Sequence, residues 1–169
     1  MTAHINIEQT LNDMRDRLRE LLALRGIEQP CMVGIHTGGL WIARRLHKQL
    51  SIDEPLGALN ISFYRDDFSR IGMHPQVKPS NLPFDVEGRH IILVDDVLYT
   101  GRTIRAALNI LFDYGRPTSV ILATLVDRGG RELPIQADVV GQHMNLTTAQ
   151  QVKLSGPTNL ALTVHTDGD

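Results

Sequence analysis

Cysteine is nearly absent: Cys31 is the only one among 169 residues. No internal disulfide can form. Its place in the apolar run Cys31-Met32-Val33-Gly34-Ile35 reads as a buried strand position rather than a nucleophile's. Long apolar runs are missing as well. None approaches the ~20 residues needed to span a bilayer. Met1-Thr2-Ala3-His4-Ile5-Asn6 has neither the charged start nor the apolar stretch of a signal peptide. A soluble cytoplasmic protein with no membrane partner is expected. Charge of one sign is not in excess either: 17 Lys and Arg against 19 Asp and Glu leave a net charge of -2. The chain as a whole is therefore not built as a polyanion binder, although a local basic patch is allowed. His36, His47, His74 and His90 show no His-x-x-x-His spacing, which argues against zinc. No internal repeat or low-complexity tract occurs.

What is present is one domain's worth of chain with alternating strand and helix signals. A chain of this length buries roughly 70% of its unfolded surface and needs no staple. Ile7, Leu11, Met14, Leu18, Leu21 and Leu22 share one face of a helix over 7–25, which Gly26 ends. A strand at 31–35, a Thr37-Gly38-Gly39 turn and a helix over 40–50 form a first strand-turn-helix unit. A strand at 56–63 follows. Next comes a polar stretch, 64–86, containing Pro75, Pro79 and Pro83, longer than the ~12 to 15 residues usual for loops and read as a flap. A strand at 90–94, a turn from Asp95 to Arg102 and a helix over 103–114 make the best defined unit, closed by Gly115 and Pro117. Another apolar strand at 119–126, a polar turn at 127–133 and a short strand at Val139-Val140 complete the pattern. Such alternation predicts an α/β fold: a parallel sheet with helices on both faces.

In open α/β sheets ligands bind beyond the carboxyl ends of the strands, which directs attention to the turn after 90–94. Thr100-Gly101-Arg102-Thr103 opens a helix, so unpaired backbone N–H groups, the positive end of the helix dipole and two hydroxyls converge there. A phosphate dianion fits that set. Asp95 and Asp96 repel a phosphate; as acceptors they suit ribose hydroxyls or a magnesium ion. On spacing alone the alternative is that the acids cap the helix and the glycine merely turns the chain.

The segment Val94-Asp95-Asp96-Val97-Leu98-Tyr99-Thr100-Gly101-Arg102-Thr103 resembles the 5-phosphoribosyl-1-pyrophosphate (PRPP) signature of type I phosphoribosyltransferases. The runs 61–69, 94–105 and 125–134 closely resemble one group within that family, the bifunctional pyrimidine operon regulators and uracil phosphoribosyltransferases. The likeness spans about residues 7–141 and weakens beyond Gly141. It implies a Rossmann-like type I phosphoribosyltransferase sheet in a single domain over 1–169, with a flap at about 64–86 and a small hood formed in part by 142–169.

The resemblance also implies roles. Asp95 and Asp96 hold the ribose hydroxyls, with Mg²⁺ bridging them and the pyrophosphate. Tyr99, Thr100, Gly101, Arg102 and Thr103 wrap the 5-phosphate. His36, Thr37, Gly38 and Gly39 form a pyrophosphate loop in which an unusual, often cis, peptide aims N–H groups at the leaving group; the alternative is a plain strand-to-helix turn. Many members of the group carry an arginine at the position of Gly38 or Gly39. Its loss removes a charge-assisted contact to an anion of roughly 1.5 to 3 kcal/mol. Arg65, beside Asp66 and Asp67 at the start of the flap, neutralises the leaving pyrophosphate and counts with the two acids as catalytic. Val126, Asp127 and Arg128 recognise the base; apart from the resemblance, the bland reading of Arg131 and Glu132 is a surface pair with each other.

The implied reaction transfers the phosphoribosyl group of PRPP to uracil, giving UMP and pyrophosphate. The implied partners are uridine nucleotides, pyrimidine-operon mRNA and further copies of the chain, as a dimer or tetramer. A basic surface for RNA is sought in the first 50 residues, where Arg15, Arg17, Arg19, Arg25, Arg44, Arg45 and Lys48 face five acids. The alternative within the fold is a catalytically weak PRPP or nucleotide sensor, as among purine repressors.

Overall fold

The computed structural model describes residues 5–62 and 80–168. Helix α1 (Ile7–Leu24) starts where the Asn6 side chain accepts a hydrogen bond from the Gln9 N–H at 3.1 Å, an N-cap that satisfies one of the helix's orphan donors. The predicted apolar face is the buried one, with Leu11, Met14 and Leu18 fully enclosed. Each such side chain contributes about 1.5 to 3 kcal/mol of transfer free energy. The helix ends one residue before the predicted boundary and the chain reverses at Gly26, φ +66°.

Strand β1 (Cys31–Ile35) leads into α2 (Gly38–Gln49), which begins two residues earlier than its apolar spacing indicates. Strand β2 (Gly57–Leu59) is shorter than the predicted 56–63, and Phe63 lies outside the described residues. Strand β3 (His90–Leu98), helix α3 (Arg102–Asp113), and strands β4 (Ser119–Asp127) and β5 (Val139–His143) follow. The five strands form one parallel sheet in the order β2-β1-β3-β4-β5. Strand β3 is central.

Alternation along the strands divides the core between the two faces of the sheet. Met32, Ile92, Val94, Ile121, Ala123 and Leu125 pack with α1 and α2. Cys31, Val33, Ile35, Ile91, Leu93 and Leu122 pack with Ile104, Ala107, Ile110 and Leu111 of α3. Cys31 is fully buried, and burial pushes its thiol above the ordinary range, against a smaller opposing effect of Arg89.

Two predictions change here. The expected flap over 64–86 lies partly outside the described residues, but its last part is docked on the sheet. Asn81 exchanges two backbone hydrogen bonds of 2.8 Å with Ala58, and Val86 is 1% exposed in the core under α3. The polar composition of the stretch concealed those anchors. After β5 the chain forms an antiparallel hairpin, β6 (Gln150–Ser155) and β7 (Ala161–Thr166), for which no strands were predicted. Its apolar positions Val152, Leu154 and Leu162 pack against the core on the α1 and α2 side, and Arg45 of α2 donates to the Thr158 carbonyl at its turn. Among the described residues no helix is long and apolar enough to cross a membrane.

Candidate active site at the carboxyl ends of β1, β3 and β4

The acids predicted to lie in a turn belong to the strand. β3 runs on through Asp95, Asp96 and Val97 to Leu98, pairing Asp95 with Thr124 and Leu98 with Asp127 of β4. Two local hydrogen bonds shape this end: Asp95 Oδ1 accepts from the Asp96 N–H, and Asp96 Oδ1 from the Val97 N–H, both at 2.9 Å. Asp95 is 4% exposed. Neither acid caps α3, whose N-cap is Gly101 with no side-chain cap. The helix-capping alternative is thereby removed.

The turn after β1 packs against these acids. A Cβ on Gly38 would run into the Asp96 carboxylate. One on Gly39 would lie 2.6 Å from the Val94 carbonyl oxygen and 2.9 Å from Asp95 Cα. Only glycines let the backbone of this turn, and the start of α2, approach β3 so closely. The His36–Thr37 peptide is cis, and the His36 N–H is anchored on the Leu59 carbonyl at 2.9 Å. The arginine that the family pattern puts in this turn would have to displace the Asp96 side chain if it stood at residue 38.

Beyond β3, Gly101 adopts φ +94°, a conformation glycine enters freely, and α3 begins at Arg102. One donor expected to be unpaired is satisfied locally: the Arg102 N–H donates to Thr100 Oγ1 at 3.2 Å, the kind of local turn threonine favours. The Arg102 side chain faces away, donating to Glu132 at 2.6 Å. Thr103 sits in the first turn of α3. The positive ends of α2 and α3 thus flank the two acids, so anion donors and hydroxyl acceptors share one sheet edge.

At the end of β4, Val126 is fully buried and its backbone is in register with Val97 and Gln142, so its side chain is a core group. Asp127 is partly buried. Burial raises its carboxyl pKa, but hydrogen bonds from Arg131 and the Gly129 N–H, with the Arg131 and His143 charges, bring it below the ordinary range. Arg128 is buried, stacked 3.9 Å from the centroid of the Tyr99 ring, and donates to the Thr147 carbonyl at 2.9 Å. Its Nε is enclosed without a hydrogen-bond partner among the described residues. The ring of Tyr99, whose loop is the one expected at the phosphate, lies against the guanidinium of the predicted base segment.

The expected Arg131–Glu132 pair does not form. Arg131 bonds Asp127 at 2.6 Å, and Glu132 bonds Arg102 instead, because adjacent side chains in this extended turn point to different neighbours. Three-dimensional closure brings these groups together, and no sequence spacing signals it. Arg65, with Asp66 and Asp67, lies outside the described residues. Among the described residues no three His, Cys, Asp or Glu side chains converge as a metal cage. Asp95 and Asp96 supply hard carboxylate oxygens of the kind Mg²⁺ takes, in the number usual where water and substrate oxygens complete its shell.

The basic surface sought in the first 50 residues is largely tied down. Arg15 bonds Asp16 and Asn12, Arg17 the Val140 carbonyl, Arg19 the Gln49 carbonyl, Arg25 Asp138, and Arg45 Glu8.

Comparison with known proteins agrees with this geometry. Residues 4–154 match the model of the phosphoribosyl transferase domain. The chain is 60% identical over 162 residues to the bifunctional protein PyrR of Nitrosococcus oceani, covering 95% of this chain and 92% of that protein. It is 59% identical over 157 residues to the bifunctional protein PyrR of Pseudomonas aeruginosa, covering 93% and 92%. Among solved structures, a hypoxanthine-guanine phosphoribosyltransferase of Bacillus anthracis superposes with a TM-score of 0.68 at 19% identity, over 86% of this chain and 84% of that one. A purine phosphoribosyltransferase of Pyrococcus horikoshii gives 0.63 at 19% identity, over 82% of each chain. At that identity the structures establish the shared fold.

Proposed function

The chain belongs to the phosphoribosyl transferase domain family, and from that premise we propose that it transfers the phosphoribosyl group of PRPP to uracil, releasing pyrophosphate and forming UMP. The observation that carries this reading is the packing of Asp95 and Asp96 against Gly38 and Gly39 between two helix N-termini. The uracil specificity is drawn from the relatives' kind, since the solved structures share only the fold.

A uracil nitrogen forms the new bond to C1 of the ribose as the C1–oxygen bond to pyrophosphate breaks, and the nitrogen's proton leaves. Positive charge develops on the ribose ring in between. Asp95 and Asp96 accept from the ribose hydroxyls and hold negative charge near that ring, where a preorganised site is most effective. The N–H groups of Thr37, Gly38 and Gly39, at the start of α2, serve the departing pyrophosphate, while the His36 N–H anchors the turn on the Leu59 carbonyl. The 99–103 loop with the N-terminus of α3 holds the 5-phosphate, and the 126–128 segment the base. Asp95 and Asp96 would hold Mg²⁺, which would supply positive charge to offset that of the pyrophosphate. Arg65 and the segment after it serve as a cover that keeps water from the reacting carbon. The 142–168 segment, with the β6–β7 hairpin, serves as part of the hood.

The test is formation of radiolabelled UMP from purified protein, Mg²⁺, PRPP and labelled uracil. PRPP binding by calorimetry without product would favour the sensor reading, to which the missing arginine of the 36–39 turn gives specific support.

A second role follows from the word bifunctional in the relatives' name: control of pyrimidine genes through mRNA in the cytoplasm, answering to uridine nucleotides, by a dimer or tetramer. Among the described residues, Arg44 and Lys48 of α2 make neither the ion pairs nor the side-chain hydrogen bonds that hold Arg15, Arg17, Arg19, Arg25 and Arg45. Binding to pyrimidine-leader RNA is expected to weaken steeply between about 50 and 200 mM salt; affinity that is flat across that range would exclude a phosphate-contacting surface.

A further inference from the structure

Arg131 makes no contact that its expected surface role requires, yet it is among the most engaged side chains at this sheet edge. Its Nη1 donates to the Tyr99 carbonyl at 2.8 Å, its Nε to the Ile135 carbonyl at 2.6 Å, and its Nη2 to Asp127 Oδ2 at 2.6 Å. The acceptors are the last residue of β4 and one residue in each of the segments that follow β3 and β4. The next residues continue the clasp: the Glu132 and Leu133 N–H groups both donate to the Thr100 carbonyl, at 2.9 and 3.1 Å. Gly101 rests against Ile135 and Leu133.

These contacts have a directional effect. An anion-binding loop must turn its carbonyls outward, because a carbonyl oxygen repels a phosphate as strongly as an N–H attracts it. The carbonyls of Tyr99 and Thr100, the two residues before the α3 N-cap, are both captured by the 131–133 segment. The peptides 99–100 and 100–101 are trans, so the N–H of each points opposite to its C=O. Fixing the two carbonyls therefore aims the N–H groups of Thr100 and Gly101 away from the 131–133 segment. Arg131 is suited to this task because its planar fork offers donors in three directions, which an ammonium group cannot match. Its side chain is 24% exposed and that of Asp127 12%, so the clasp is shielded from competing water.

We infer that Arg131 is a positioning residue that presets the 99–103 loop for a sugar 5-phosphate by holding the Tyr99 carbonyl and, through its own turn, the Thr100 carbonyl out of the loop. The inference rests on the phosphoribosyl reading above. It adds a residue that acts through the loop rather than on the ligand, while Asp127 of the base segment keeps its own hydrogen bond from the Gly129 N–H.

The test uses Arg131→Gln and Arg131→Lys in the full chain, with ribose 5-phosphate as a probe that carries the sugar phosphate alone. Calorimetry should show ribose 5-phosphate bound about tenfold more weakly by Arg131→Gln, with a similar rise in KM for PRPP. The KM for uracil should stay within about twofold, and Arg131→Lys should fall between wild type and Arg131→Gln because its ammonium keeps the positive charge beside Asp127 that the glutamine amide lacks. A purely structural loss would raise both KM values together. Wild-type affinity of folded Arg131→Gln for ribose 5-phosphate, or an equal rise in the uracil KM, overturns the inference while leaving the transferase reading intact. If Arg131→Gln fails to fold, Arg131→Lys carries the comparison, and an unchanged affinity in it overturns the inference. Wild-type protein that binds neither ribose 5-phosphate nor PRPP removes both.

Discussion

Changing Asp95 and Asp96 together to asparagine is expected to reduce kcat/KM for PRPP by about 10² to 10⁴-fold, with little loss of stability. Each carboxylate oxygen that closes a turn at the end of β3 has an amide oxygen of the same shape to replace it, so the hydrogen bonds to the Asp96 and Val97 N–H groups survive. What disappears is charge. A hydrogen bond to a charged acceptor is worth about 1.5 to 3 kcal/mol, so two of them amount to roughly 3 to 6 kcal/mol, and each 1.36 kcal/mol is a factor of ten in rate. Steady-state kinetics with varied PRPP, beside urea unfolding of the same sample, separates the two effects. Activity within tenfold of wild type would reduce the acids to structural elements of the strand end.

Gly39→Ala is expected to cost about 2 to 3 kcal/mol of stability and nearly all activity, whereas Gly38→Ala should cost much less stability. The difference lies in what each added methyl meets. At residue 39 the obstacle is the backbone of the central strand, the Val94 carbonyl and Asp95 Cα, which cannot yield without moving β3. At residue 38 it is the Asp96 carboxylate, which can rotate away at the expense of its place in the site. Denaturation midpoints of the two variants provide the check. Equal losses would mean that α2 slides as a body and that the turn is not held against β3.

These two glycines also mark how far the site was legible beforehand. Their presence in a strand-to-helix turn was plain, and the apolar 90–94 run located the acids at a sheet edge. Neither feature indicated that the turn and the acids touch, because that contact joins residues more than fifty positions apart. The acids were placed in a turn because their charge ends the apolar run; hydrogen bonding across to β4 carries the strand on regardless. Arg131 was misread for a related reason. A basic residue followed by an acidic one suggests a pair, and only the folded turn shows that their partners lie on different segments. The hairpin is different: Val152 with Leu154, and Leu162 with Val164, alternate as strand residues do, and the signal was there to be weighed.

The sheet order has a consequence for the protein's birth on the ribosome. β1 and β2 are sequential in the chain, but the neighbour that covers β1's other edge is β3, whose first residue, His90, is translated about 55 positions after Ile35. At ~5 to 20 residues per second that edge stays unpaired for roughly 3 to 11 s. During that interval α1 and α2 have already emerged and can shield one face of the nascent pair. The other face, with Val33 and Ile35, waits for α3, which arrives later still. Newly made chains therefore pass through a window of seconds in which half of the future active-site edge is a sticky, open strand, and crowding by neighbouring nascent chains would be felt there first.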